Sequence, residues 1–340
     1  MVKYVYSFGD RKAEGSGQDR DLLGGKGAGL AEMTRIGLPV PAGMTITTEC
    51  CHHYHTHGKQ WPKTLRKQIL EAGRKLERTC GKRFGDPRNP LLVSVRSGAA
   101  RSMPGMMETI LNLGLNDQCV EGLAKASGDR RFALDAYRRL IMMYGSTAMG
   151  IPRERFDEAF ARLKDERTRR RLSWRGGAPI TDTEVDADEL AELVERFKAI
   201  YQRETGKPFP QDPFEQFFGA INAIFESWMQ DKAVTYRRVE KITGLKGTAV
   251  NVQQMVFGNM GNDSGTGVCF TRDPSTGENV LYGELLMNAQ GEDVVAGIRT
   301  PIPLVELDRI MPKVALQLQA VRALLELHYR DMQDIEFTIE

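Results

Sequence analysis

The chain changes character once, and that change limits the folds open to it. From about Asn116 to Thr205 apolar residues recur at helical spacing. From Thr248 to Pro303 valine-rich runs, glycines and turn dipeptides take over. At 340 residues the chain exceeds one average domain, and two or three packed subdomains are expected. The order of patterns predicts an α+β class: a first α+β unit, a helical insertion and a second α+β unit.

Val2 to Phe8 alternates and reads as a strand. Gly24 to Gly29 reads as a loop, and Leu30 to Ile36 as a short helix closed by Gly37, with Pro39 and Pro41 forbidding continuation. Lys63 to Cys80 predicts an amphipathic helix with Leu65, Ile69, Ala72 and Leu76 on one face. Leu91 to Val95 predicts a buried strand. Helices are predicted over Arg131 to Tyr144, ending at Gly145, and over Pro152 to Lys164, Asp186 to Glu204, Phe214 to Met229 and Val314 to Tyr329. The basic stretch Arg167 to Gly177 has Trp174 as its one aromatic and reads as a solvated loop rather than a nucleic-acid site. Asp334 to Glu340 alternates, with Ile335, Phe337 and Ile339 on one face and Glu336, Thr338 and Glu340 on the other.

A formal net charge of +2 gives no global field for nucleic acid or a membrane surface. The start of the chain lacks a basic region followed by an apolar run, and no stretch approaches the roughly 18 apolar residues of a membrane helix. Five scattered cysteines fit a reduced, cytoplasmic protein better than a disulfide framework.

Four segments can carry chemistry. Gly24-Gly25-Lys26-Gly27-Ala28-Gly29 opens a helix; its glycines let backbone approach an anion and Lys26 adds a mobile charge. It is neither a P-loop nor a dinucleotide fingerprint, and a tight turn with a solvated lysine remains open. Arg96, in Ser94-Val95-Arg96-Ser97-Gly98, suits bidentate phosphate binding, or is a turn arginine. The loop after it holds Met103, Met106 and Met107, which could cover a flat base or simply fill core. Phe257 to Val268 can fold over phosphates or form a hairpin tip; Ser264, Thr266 and backbone N–H groups offer donors without charge. Glu336 on the last strand, and Glu284, are candidate Mg²⁺ ligands, because Mg²⁺ takes one or two carboxylates plus phosphates. Cys50 to His57 holds four of the five histidines and invites a metal reading, with His53 and His57 on one helix face. No second ligand group recurs at zinc-finger spacing, and an exposed helix start is the alternative.

Together these segments closely resemble one family, the N-terminal nucleotide-binding domain of pyruvate, phosphate dikinase. The matching stretches are LLGGKGAGLAEM, LPVPAGMTITTE, SVRSGAARSMPGMMETILNLGLND, FPQDPFEQFFGAI, GTAVNVQQMVFGNMGNDSGTGVCFTRDPSTGE, NAQGEDVVAGIRTP and DMQDIEFTIE, in family order from about residue 6 to residue 340. The resemblance implies an ATP-grasp fold of two α+β units. The first would take residues 1–115 and 202–247, the second residues 248–340, and residues 116–201 would form a helical subdomain. It implies that ATP, Mg²⁺ and inorganic phosphate react with a histidine on a separate central domain, releasing AMP and pyrophosphate. Phosphohistidine would then carry the group to pyruvate, giving phosphoenolpyruvate.

Residue by residue, the resemblance makes Lys26 and Arg96 phosphate contacts and Glu336 the Mg²⁺ ligand. Gln253 to Val256, Met255 included, match the stretch near adenine. Gly258 to Gly267, with Ser264, Gly265 and Thr266, match the phosphate loop. Met103 and Glu284 are further nucleotide-binding candidates. The family's following strand, with a glutamine and an arginine, its phosphohistidine domain and its pyruvate barrel are not in this sequence, so a partial site is expected. The parent is expected to be a homodimer through contacts outside this chain. Two alternatives stay open: a nucleotide-binding module without turnover, and a water dikinase like phosphoenolpyruvate synthase.

Overall fold

The computed structural model describes residues 2–175, 180–296 and 299–340, and divides the chain into one unit up to Met255 and another from Val256 to Glu340. The first unit is built on a six-stranded antiparallel sheet of β1 (Val5–Gly9), β2 (Lys12–Ala13), β3 (Gly43–Ile46), β4 (Val93–Gly98), β5 (Thr109–Leu113) and β6 (Ala249–Gln254), in the order β2-β1-β3-β6-β4-β5. β6 lies between β3 and β4. Its first four residues, Ala249 to Val252, are all buried, as a central strand requires. The expected boundary between residues 247 and 248 therefore moves to 255 and 256: the β-rich character at Thr248 marks the last strand of the first sheet, not the first strand of the second.

Paired residues in an antiparallel sheet share a face. One row runs Tyr6, Thr45, Asn251, Arg96 and Thr109 across five strands and is polar throughout. The next row, Met44, Val252, Val95 and Ile110, lies on the other face and is apolar and buried.

The unit's helices are α1 (Arg20–Arg35), α2 (Thr48–Thr56), α3 (Leu65–Cys80), α4 (Cys119–Ser127), α5 (Arg130–Met149), α6 (Glu154–Arg175), α7 (Ala187–Thr205), α8 (Pro213–Ser227) and α9 (Asp231–Val239). α3 buries Leu65, Ile69 and Leu76, as its periodicity predicts, and stops at left-handed Gly81. α7 starts on a capping box between Asp186 and Glu189.

Two helix ends differ from expectation. α5 passes through Gly145 and ends at left-handed Gly150. Gly145 is a packing residue, since a Cβ there would sit 2.8 Å from the Phe156 ring. α6 runs on to Arg175 because nothing between Lys164 and Arg175 breaks a helix, so the expected basic loop is helical as far as that residue; Gly176 and Gly177 lie outside the described residues. Its cations are not simply solvated: Lys164 pairs with Asp182 at 2.6 Å and Arg167 with Glu189 at 2.5 Å. α5 also carries a buried ionic cluster. Asp135 takes Arg138 at 2.7 Å and Arg139 at 2.9 Å.

The second unit has a four-stranded antiparallel sheet of β7 (Gly265–Phe270), β8 (Tyr282–Met287), β9 (Ile302–Pro303) and β10 (Asp334–Ile339), in the order β10-β7-β8-β9. Its helices are α10 (Gly291–Ala296), α11 (Leu307–Ile310) and α12 (Pro312–Tyr329). The alternation of the last strand holds. Ile335, Phe337 and Ile339 pack with Cys269 and Leu285 against Leu304, Leu307, Ala315 and Leu318. Among the described residues no helix is long and apolar enough to cross a membrane.

Candidate functional site

In the first unit the glycine stretch does not form the expected loop. α1 begins at Arg20, breaks at Gly24 (φ 70°, ψ 168°) and resumes at once, upstream of the expected start at Leu30. Lys26 thus lies in the first turn of the resumed helix, at the positive end of its dipole. Only glycine adopts the Gly24 conformation readily, and only glycine fits, because a Cβ there would overlap the Gly98 carbonyl oxygen. Next to it, the Gly25 N–H donates to the Ala99 carbonyl at 2.9 Å.

The break in α1 is therefore held directly against the end of β4, the strand that carries Arg96. A Cβ at Gly98 would lie 3.7 Å from the Lys26 Cβ. Arg96 shares a sheet face with Asn251 and Thr45, and that face meets α1: a Cβ at Gly27 would lie 2.8 Å from both Asn251 Oδ1 and Thr45 Cγ2. Lys26 and Arg96 are 70 positions apart in sequence. The fold brings the segments bearing them together, and a basic pair on a glycine-rich backbone can take a phosphate.

Gln253 lies on the same face as Asn251, two residues along, with its Nε2 donating to the Pro41 carbonyl at 3.0 Å. Met255 is buried and its N–H donates to the Leu92 carbonyl at 2.9 Å; half-buried Val256 opens the second unit. The methionine loop is less open than a covering surface requires. Met103 is only 4% exposed, so of the two readings its burial favours core filling, while Met106 and Met107 are half-buried.

In the second unit the glycine-rich loop is shorter than expected. β7 begins at Gly265, so Gly265, Thr266 and Gly267 are strand residues. Both hydroxyls expected to face a ligand are buried and engaged internally: Ser264 donates to the Gly261 carbonyl at 2.8 Å and Thr266 to the Phe337 carbonyl at 3.1 Å. The loop base is closed by N–H bonds from Ala289 to the Gly258 carbonyl and from Asn288 to the Ser264 carbonyl, each 2.8 Å. What the loop can offer an anion is backbone N–H at its tip, where Asn262 and Asp263 are exposed.

Glu336 and Glu284 flank Val268 in register from either side, so both carboxylates stand on the sheet face opposite the apolar cluster, roughly 10 Å apart at the backbone. Both are exposed. Two hard oxygen donors without thiolate or imidazole suit Mg²⁺, which completes its shell with water and phosphate.

The Cys50 to His57 cluster does not gather into a metal site. Cys50 and Cys51 are fully buried in α2, and burial pushes both thiols up to about 12, far from the thiolate a metal takes. His53 and His57 do share a face and stack at 3.9 Å. Burial, then neighbouring His57 and His52, hold His53 below its usual value. Among the described residues no group of three or more His, Cys, Asp or Glu is placed to hold a metal ion. Reading the sequence passes over Asn251; the only signal for it is an amide between valines in a strand buried on both faces.

Comparison with known proteins bears on what this arrangement holds. A family model described as pyruvate phosphate dikinase, AMP/ATP-binding domain, matches residues 20–59 and 55–309. A pyruvate, phosphate dikinase of Rhizobium meliloti (strain 1021) is 53% identical over 352 residues, covering 100% of this chain and 38% of the relative. One from Clostridium symbiosum is 53% identical over 341 residues, covering 100% of this chain and 37% of the relative. A chloroplastic pyruvate, phosphate dikinase 1 of Arabidopsis thaliana is 54% identical over 338 residues, covering 99% and 34%. The chain spans little more than a third of the length of these relatives. By the family match, by identity along its whole length and by its two α+β units, the chain belongs to the pyruvate phosphate dikinase AMP/ATP-binding domain family, whose fold is ATP-grasp.

Proposed function

We propose that this chain binds magnesium-ATP as the nucleotide-binding part of a pyruvate, phosphate dikinase, and passes phosphate to a histidine on a separate domain. The observation that carries the reading is the Gly25 to Ala99 backbone bond, which joins the segments of Lys26 and Arg96 in a chain of an AMP/ATP-binding family. Lys26 and Arg96 contact the phosphates. Gln253, Met255 and Val256 lie along the base, with Met103 nearby once nucleotide binds. Backbone N–H groups of the Gly258 to Gly267 stretch cover phosphate oxygens.

Glu336, with Glu284, would hold Mg²⁺, which when bound neutralises charge on the phosphates. Phosphoryl transfer needs positioning and charge neutralisation more than covalent help, and these residue types supply both. In this reading ATP and inorganic phosphate yield AMP, pyrophosphate and phosphohistidine, toward phosphoenolpyruvate from pyruvate. All five cysteines are free, which suits a reducing compartment such as the cytoplasm.

Calorimetry with magnesium-ATP is expected to show heat and a raised melting temperature, equivalent to about 2.7 kcal/mol at a hundredfold excess over Kd. Lys26→Ala and Arg96→Ala are each expected to weaken binding tenfold or more, since a hydrogen bond to a charged group contributes about 1.5–3 kcal/mol. Absence of heat and of any melting shift in the parent chain overturns the nucleotide site. Supplying the family's phosphohistidine domain in trans tests transfer: orthophosphate release with no phosphate requirement identifies a water dikinase, and binding without transfer identifies a nucleotide module alone.

A further inference from the structure

We infer that Asn251 is a positioning residue of the phosphate site: its side-chain amide sets the start of the resumed α1, and so Lys26, against the end of β4 behind Arg96. The inference rests on the reading of Lys26 and Arg96 as phosphate contacts.

Asn251 is 2% exposed and stands at the centre of the first sheet, in register with Thr45 on one side and Arg96 on the other. Its Oδ1 accepts the Thr45 hydroxyl at 2.9 Å, which fixes the plane of the amide. Two glycine backbones meet the two ends of that amide. A Cβ at Gly27 would lie 2.8 Å from Oδ1, and a Cβ at Gly98 would overlap Nδ2. Gly27 follows Lys26 directly, and Gly98 lies two residues after Arg96. One flat side chain therefore sets the spacing between the two segments that carry the cations.

The energetics favour this over simple core filling. Nδ2 is buried without a hydrogen-bond partner, and an unsatisfied buried donor costs about 1–3 kcal/mol. The strand's other fully buried positions, Ala249, Val250 and Val252, are apolar, so burial in this strand does not by itself call for an amide. An amide is thin, planar and oriented by Thr45.

The test compares the parent chain with Asn251→Ala, Asn251→Asp and Lys26→Ala, measuring melting temperature without ligand and equilibrium binding of magnesium-ATP and of adenosine. Adenosine carries the base and no phosphate. Asn251→Ala is expected to weaken ATP about tenfold, change adenosine less than twofold and shift melting by a few degrees. Asn251→Asp keeps the size and the acceptor for Thr45 but sets a carboxylate beside Lys26 and Arg96; it is expected to weaken ATP further than alanine does, again sparing adenosine. Equal losses for ATP and adenosine mean a scaffold role only and overturn the inference. So does parent-like ATP binding in both Asn251 variants while Lys26→Ala fails to bind. Parent-like binding by Lys26→Ala overturns the underlying site reading instead, and the inference with it. If one Asn251 variant does not fold, the other decides by the same ratio.

Discussion

Gly24→Ala is expected to abolish measurable magnesium-ATP binding while leaving most of the helix content in place. The added methyl has nowhere to go, because it would overlap the Gly98 carbonyl oxygen and come within 2.6 Å of its carbon. The backbone also resists it, since φ 70° with ψ 168° is a region that essentially only glycine occupies. Backbone strain of about 1–3 kcal/mol and overpacking of about 1–3 kcal/mol act together. The relief open to the chain is to lift the start of α1 off β4, which breaks the Gly25 to Ala99 bond and separates Lys26 from Arg96. Circular dichroism and thermal melting report the fold, and calorimetry reports the site. Parent-like affinity in a variant that melts like the parent would show that this contact does not organise the site.

The largest stability effect is expected at Asp135 on α5, which is not among the residues proposed to meet phosphate. Burial alone would raise its carboxyl, but Arg138 and Arg139, bonded at 2.7 and 2.9 Å, hold it well below the usual carboxylate range. Asp135→Ala leaves Arg138, whose side chain is 7% exposed, without its counter-charge. Removing one partner of such a buried pair costs about 3–5 kcal/mol, or roughly 6–20 °C in melting temperature for a unit of this size.

The sign of the pH dependence follows from the depressed carboxyl. Its stabilisation is complete above the unfolded value of about 3.9 and fades as pH falls through the folded one. Parent and variant therefore differ by the full amount at pH 7 and converge in strong acid. A double variant, Asp135→Leu with Arg138→Met, is expected to recover part of the loss, because the two most buried charges give way to matched apolar groups while Arg139, whose side chain is 15% exposed, keeps some access to water. Denaturant melts of the single and double variants separate a pair that stabilises from a charge that merely needs its partner. Equal melting of parent and Asp135→Ala would refute the role assigned to the cluster.

Features encoded over a few residues are legible in the sequence alone. β10 alternates with period two, which puts Glu336 on the polar face and Phe337 in the core, as observed. α3 repeats at helical spacing, and Leu65, Ile69 and Leu76 are buried. Charge and glycine content mark Lys26 and Arg96 as candidates because phosphate chemistry asks for those residue types in any fold. Their proximity is not legible from spacing, and is expected only through likeness to a family.

Other features depend on partners far away in the chain. The hydroxyls of Ser264 and Thr266 look available in the sequence, yet both are engaged by backbone carbonyls, one of them on β10. Cys50 and Cys51 look like metal ligands because burial is not a property of a tetrapeptide. The strand at residue 249 reads as the opening of a second unit because nothing local says which sheet a strand joins.

By itself, then, the sequence determined the α+β class, the run of helices between Asn116 and Thr205, the polarity of the last strand and the residue types able to meet a phosphate. Each follows from short-range periodicity or from side-chain chemistry. Tertiary structure alone decided that β6 enters the first sheet, that α1 breaks at Gly24 rather than starting at Leu30, and that the Asn251 amide meets both glycine backbones. The amide and the Thr45 hydroxyl it accepts are 206 residues apart. Such a contact forms only when the sheet closes, so no local pattern announces it.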